Sequence, residues 1–205
     1  MQLVDRLFRT DEWRTVPNAI TALRLLLLPV FVVLIVGEHY WSSMVVIAVV
    51  FLTDFVDGFV ARRTHTTSEL GAWLDPVADR LTVIVVVLAF WLGGLLSWPV
   101  FVLILLPDVV LSLIALIAFG GASFPVTWVG KIRTALIFVG LLMLLVGVAV
   151  VAEWRGSDDA LEGLGQLLVV VSSFVLLLGL VGHYVAAVLY GRDLARRWRA
   201  RRAAA

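Results

Sequence analysis

Four aspartates, Asp54, Asp57, Asp75 and Asp79, interrupt two long apolar runs of the chain. A carboxylate inside a membrane segment is expensive to bury, so each one invites a functional explanation. At 3.6 residues per turn, Asp54, Asp57, Gly58 and Ala61 fall on one face of a helix. Gly71, Asp75 and Asp79, spaced by four, climb one side of the next. The connection between the two runs is short, which predicts antiparallel neighbours whose acidic faces meet. Carboxylates packed together beside a low-dielectric medium repel, and protons or cations must compensate. Oxygen-only ligands suit hard ions such as Mg²⁺ or Mn²⁺. Two such ions sharing the carboxylates fit phosphoryl-transfer chemistry.

Small and basic residues around the acids point the same way. Gly58 and Ala61 leave the acidic face without bulk, so a ligand or a second backbone can approach closely. Arg62 stands at the mouth of the segment, suited to a phosphate. Pro76 removes an amide donor near the first turns of its helix, where the loss costs least. The plainer reading of glycine and alanine in such a helix is tight packing, and of one aspartate a buried structural group. That reading does not account for all of these residues at these spacings.

The elements that must carry them are membrane helices. Of 205 residues, 62% are hydrophobic and 15% charged, far from a soluble domain of this length. The absence of cysteine excludes disulfides, thiolate metal sites and a cysteine nucleophile. Six stretches approach the roughly 20 apolar residues that a span requires. They run from Asn18 to Val36, Trp41 to Arg62, Gly71 to Leu92, Trp98 to Phe119, Ile132 to Val151 and Leu164 to Tyr190. Trp41, Trp98, Tyr184 and Tyr190 fall near the interfaces, where amphipathic rings settle.

With six spans, one side of the membrane receives Arg6, Arg9 and Arg14, then Arg62 and Arg63, then Lys131 and Arg133, and finally Arg192 to Arg202. The other side receives Glu38, the turn near Gly93 and the acidic segment Glu153 to Glu162. The positive-inside rule then predicts that both termini face the cytoplasm. The expected architecture is an all-α integral membrane protein of six transmembrane helices in the cell membrane. Residues 1–17 form an interfacial segment, 18–190 the membrane domain and 191–205 a basic cytoplasmic tail. Leu3 to Trp13 reads as a short amphipathic helix on the surface. The start has no small-residue cleavage site after a short apolar run, so no secretory signal is expected. The basic tail is expected to hold the cytoplasmic end and attract anionic lipid headgroups, not nucleic acid.

The stretch Asp54 to Asp79 resembles the signature of the CDP-alcohol phosphotransferases, D-x2-D-G-x2-A-R-x8-G-x3-D-x3-D, with every fixed position filled. The signature covers about an eighth of the chain, and the six-span layout extends the resemblance over the rest. The resemblance implies that Asp54, Asp57 and Asp75 hold two divalent ions, with Asp79 contributing to the second. Asp79 would also take the acceptor's hydroxyl proton. Asp54, Asp57, Gly58, Ala61, Arg62 and Gly71, with Ser68 as a weaker candidate, would surround the CDP moiety. The implied substrates are CDP-diacylglycerol and an alcohol acceptor, the implied product of cleavage is CMP, and the implied assembly is a homodimer.

Other segments resemble the phosphatidylglycerophosphate synthase and cardiolipin synthase branch: Val16-Pro17-Asn18-Ala-Ile-Thr21-Ala-Leu-Arg24, Leu74-Asp75-Pro76, and Gly130-Lys131-Ile-Arg133-Thr134. Lys131 and Arg133 are candidates for the acceptor's phosphate, against a plain role as positive-inside anchors. Arg24, some way into span one, could assist them with the acceptor, and its depth calls for a partner, either a site phosphate or an aspartate. Span four departs from the branch, reading Leu106-Pro107-Asp108 where an arginine often precedes the acid. Asp108 is therefore expected either to contact the acceptor or to pair structurally. His39, His65 and His183 are dispersed and form no metal triad; His183 reads as a packed polar residue.

The acceptors rank as glycerol 3-phosphate, phosphatidylglycerol, then inositol phosphate, and the missing arginine favours the lipid. A divalent-cation transporter is the rival class, since membrane acids also line ion pathways. The opposite halves of spans two and three are almost purely apolar, which disfavours a path across the full thickness.

Overall fold

Hydropathy of this kind leaves the backbone one economical solution, because amides buried in hydrocarbon must be satisfied within their own segment. In a computed structural model of the chain, the described residues are 16–64, 69–119 and 128–203, with side chains over 19–53, 78–110, 113–114, 132–196 and 199. They form helices and, among the described residues, no strand. The helices are α1 (Val16–Val36), α2 (Tyr40–Thr64), α3 (Glu69–Leu92), α4 (Trp98–Phe119), α5 (Trp128–Trp154) and α6 (Asp159–Ala203). Each overlaps one of the six apolar stretches expected from sequence. Among the described residues, Ala19–Val36, Ile132–Trp154 and Asp159–Arg196 are long and apolar enough to cross a bilayer, while Tyr40–Thr53 and Trp98–Val110 are shorter apolar stretches. The amphipathic segment expected over residues 3–13 lies outside the described residues.

The chain divides into two compact units, Met1–Leu96 and Ser97–Ala205. In the first, α1 packs on both α2 and α3. Its buried face is Thr21, Arg24, Leu28, Phe31 and Ile35, stepping by three and four as a helical stripe must. Phe31 meets Phe90 of α3 with ring centroids 6.2 Å apart. Between α1 and α2 the chain reverses through a Schellman turn. His39 N–H reaches back to the Leu34 carbonyl at 2.9 Å and Glu38 N–H to that of Ile35 at 3.2 Å. Glu38 occupies the left-handed position, φ 60°, that glycine usually fills.

In the second unit, α6 packs on α5 and on α4. Glycine governs the α5–α6 approach. A Cβ on Gly147 would lie 2.9 Å from the Val169 amide nitrogen and 3.0 Å from the Gly165 carbonyl oxygen. A Cβ on Gly165 would lie 2.9 Å from the Val151 nitrogen. The helices touch backbone to backbone, the contact that small residues permit in lipid. Gly147→Val is expected to cost about 1–3 kcal/mol through overpacking, because a backbone cannot yield as a side chain can. Gly163, which has nothing within 4 Å of its Cβ position, supplies the control. Thermal unfolding in detergent should show a lower midpoint for Gly147→Val and little change for Gly163→Ala.

The start of α6 is capped by Asp158, whose Oδ1 accepts from the amides of Ala160 at 2.9 Å and Leu161 at 3.1 Å. From there α6 runs 45 residues without a break. At 1.5 Å per residue that is about 68 Å, roughly twice the hydrocarbon core. Residues 191–203, read from sequence as a tail, continue the same helix.

Both units bury some polar residues within an apolar core and expose many large apolar ones. Thr21, Arg24, Ser43, Thr82, Ser172 and His183 are buried, while Leu26, Val33, Phe174 and Leu178 lie exposed. Water would reverse that arrangement; lipid favours it.

Candidate active site

The signature begins on α2 and ends on α3, so two consecutive helices of the first unit carry it. Asp54, Asp57, Gly58, Ala61 and Arg62 belong to α2, and Gly71 and Asp75 to α3, with side chains outside the described residues. Ser68 lies outside the described residues altogether. Asp79, the last of the four acids, is described. Arg24 Nη1 donates to Asp79 Oδ1 at 3.1 Å, from a side chain that is 2% exposed to one that is 60% exposed.

That contrast has a physical origin. Arg24 belongs to the buried stripe of α1, four residues before Leu28, and its stem packs where an apolar residue would otherwise sit. A buried guanidinium is costly, and an anionic partner offsets much of that cost. The partner found is the aspartate, one of the two that sequence allowed. Arg24 thereby holds Asp79 from the interior side while most of the carboxylate stays accessible. Ala78, one residue earlier on α3, is buried, and Thr82 hydrogen-bonds its own helix through the Ala78 carbonyl at 2.9 Å. Asp79 thus stands beside a packed stripe of α3.

Among the described residues, no group of three or more His, Cys, Asp or Glu side chains stands ready for a metal ion. The donor set of the signature nevertheless fits a hard divalent ion, being carboxylate oxygen only, with its one described member open to a ligand.

A second polar cluster lies in the other unit. Arg133 of α5 donates through Nη2 to Asp108 Oδ1 of α4 at 3.2 Å, and through Nη1 to His183 Nδ1 of α6. His183 Nε2 stands 3.9 Å from the same Asp108 oxygen. Asp108 therefore pairs across helices. Lys131, the other basic candidate on α5, has its side chain outside the described residues. His183 escaped notice as a partner because its contacts lie 50 residues away in sequence. The available signal was its burial cost: a polar ring at mid-helix in an apolar run needs a donor or acceptor from a neighbour.

The family model for CDP-alcohol phosphatidyltransferase matches residues 14–190. The chain belongs to that family. As a CDP-alcohol phosphatidyltransferase family member it resembles two kinds of named relative. It is 38% identical over 136 residues to proteins of Mycobacterium bovis and Mycobacterium tuberculosis named provisionally as cardiolipin synthase, covering 65% of this chain and 65% of theirs. The match thus spans just under two thirds of the length of those relatives. It is 33% identical over 183 residues to the CDP-diacylglycerol–glycerol-3-phosphate 3-phosphatidyltransferase of Yersinia pestis, covering 85% of this chain and 87% of that one. Both helices of the signature, and all three residues of the second cluster, fall within the family match.

Proposed function

We propose that this family member transfers a phosphatidyl group from CDP-diacylglycerol to glycerol 3-phosphate, releasing CMP. The reading rests on one observation above the rest: Asp79, the last acid of a complete signature, is gripped by buried Arg24 while its carboxylate stays open. The near full-length likeness to the Yersinia pestis glycerol-3-phosphate transferase supports this acceptor. The likeness to the mycobacterial proteins favours a second reading, cardiolipin synthesis with phosphatidylglycerol as acceptor.

In the proposed reaction, Asp79 accepts the proton of the acceptor's hydroxyl. The oxygen so freed forms a bond to the β-phosphorus of CDP-diacylglycerol. The bond from that phosphorus to the bridging oxygen breaks, and its electron pair leaves with CMP. Asp54, Asp57 and Asp75, together with Asp79, would hold two divalent ions, Mg²⁺ or Mn²⁺, whose charge offsets that of the pyrophosphate. Gly58, Ala61 and Gly71 give the CDP moiety room, Arg62 answers a phosphate, and Ser68 is a minor contact. Lys131 and Arg133 take the phosphate of the acceptor, and Asp108 shares that region. Arg24 contributes through Asp79, fixing the direction from which the base meets the hydroxyl. Orientation of this kind supplies much of the rate in a reaction with little covalent work for the protein.

The architecture proposed with it has six spans, both termini and the site on the cytoplasmic side, and a homodimeric assembly in the cell membrane. The membrane domain runs over residues 18–190 between an interfacial segment and a basic extension. The alternation of basic and acidic ends along the sequence supports that orientation.

The test supplies purified protein with CDP-diacylglycerol and Mg²⁺ or Mn²⁺, then offers glycerol 3-phosphate, phosphatidylglycerol and inositol phosphate in parallel. CMP release with glycerol 3-phosphate is the expected result. Release only with phosphatidylglycerol would transfer the conclusion to the second reading. Silence with every acceptor would remove both.

A further inference from the structure

The cluster Asp108–Arg133–His183 is built more elaborately than an anchor at a membrane edge requires. Arg133 is 12% exposed and His183 3%, whereas Asp108 is 47% exposed. The two terminal nitrogens of the guanidinium are engaged by different helices: Nη2 by Asp108 of α4, Nη1 by His183 of α6. Its Nε is buried and has no hydrogen-bond partner among the described residues. Gly182, next to His183, packs over Arg133; a Cβ there would stand in ordinary contact, 3.5 Å from the Arg133 Cβ. An arginine only donates, so the imidazole nitrogen that Nη1 meets is the bare, accepting one. The imidazole lies against Arg133 and 3.9 Å from Asp108.

A plain structural ion pair in an apolar bundle needs one acid. Here the arginine has an acid and a neutral acceptor, placed to pin two corners of a planar cation. A pinned plane matters where a guanidinium must present its fork to a phosphate, because recognition by arginine depends on direction as well as charge. The half-open carboxylate shows that this cluster reaches the surface of its unit on the Asp108 side. We infer that Asp108 and His183 are positioning residues that hold the Arg133 guanidinium in the orientation used to bind the acceptor's phosphate. The inference rests on the reading above that Arg133 meets that phosphate.

The experiment compares Arg133→Gln, Asp108→Asn, His183→Leu and His183→Gln with the unaltered protein in liposomes. It measures KM for glycerol 3-phosphate and, separately, KM for CDP-diacylglycerol. KM does not depend on how much of a preparation is folded, so a partly misfolded variant still reports. The expected result is a rise of roughly tenfold or more in KM for glycerol 3-phosphate in Asp108→Asn and His183→Leu. KM for CDP-diacylglycerol should stay unchanged, and His183→Gln, whose amide oxygen can still accept, should lie near the unaltered protein. If Arg133→Gln raises that KM but the Asp108 and His183 variants do not, the positioning role is overturned and the reading of Arg133 stands. If Arg133→Gln leaves it unchanged, the reading of Arg133 fails and takes the inference with it. Lower thermal midpoints with both KM values unchanged would show a cluster that only braces the helices, and would also overturn the inference.

Discussion

Asp79→Asn is expected to cut CMP release by about a thousandfold, the range in which a positioned general base contributes. The substitution is nearly isosteric, and an amide oxygen can still accept from Arg24 at the position now 3.1 Å away. It removes basicity and charge without removing the contact that seats the side chain. The fold should therefore survive. The charge left behind is that of Arg24, 2% exposed, so a lower thermal midpoint is expected even with the Asn oxygen still accepting from it. Arg24→Gln makes the complementary perturbation, keeping the carboxylate while releasing its grip. It should lower kcat less than Asp79→Asn does. The measurement is CMP release over time, alongside a thermal unfolding curve in the same detergent. Robust turnover by a well-folded Asp79→Asn protein would take that residue out of the role of base.

The acids and their helices were legible in the sequence for a simple reason. A charge inside an apolar run stands out against its background, and a spacing of three or four converts directly into a shared helix face. The choice of partner was not legible. Arg24 had two admissible partners, and the register between α1 and α3 decides for Asp79. That register follows from Phe31 against Phe90 and from the buried stripe around them, pairings no single segment announces. His183 shows the same limit from the other direction. Its helix reads as nearly uniform apolar sequence, and the arginine it serves lies on α5. The glycine contacts between α5 and α6 carried a faint signal: Gly140 and Gly147 are seven apart and Gly165 and Gly179 fourteen, so each pair recurs on one helix face. The end of α6 had none. Composition turns from apolar to basic after Tyr190, yet alanine, arginine and leucine are all strong helix formers, so the helix continues through Ala203.

Excess chelator is expected to stop CMP release altogether, and added Mg²⁺ or Mn²⁺ to restore it. The reason lies in charge balance. Asp54 and Asp57 stand one helical turn apart, Asp75 and Asp79 another, and in the proposed reaction a CDP-lipid would bring a pyrophosphate to the same helices. Two like unit charges 4 Å apart repel by about 4 kcal/mol at an effective dielectric of 20, and the site would multiply such pairs. Arg24 offsets one carboxylate from inside, and Arg62 can answer one phosphate; neither supplies the divalent charge that the full set demands. Without cations the acids must take up protons, and a protonated Asp79 is no base. Two independent signals should therefore move together on chelation: loss of turnover, and loss of the added thermal stability that a bound ion confers. Asp54→Asn should blunt the second signal as well as the first, since it would delete a proposed ligand and leave the proposed base. Undiminished turnover in excess chelator would break the metal mechanism while leaving membership of the family untouched.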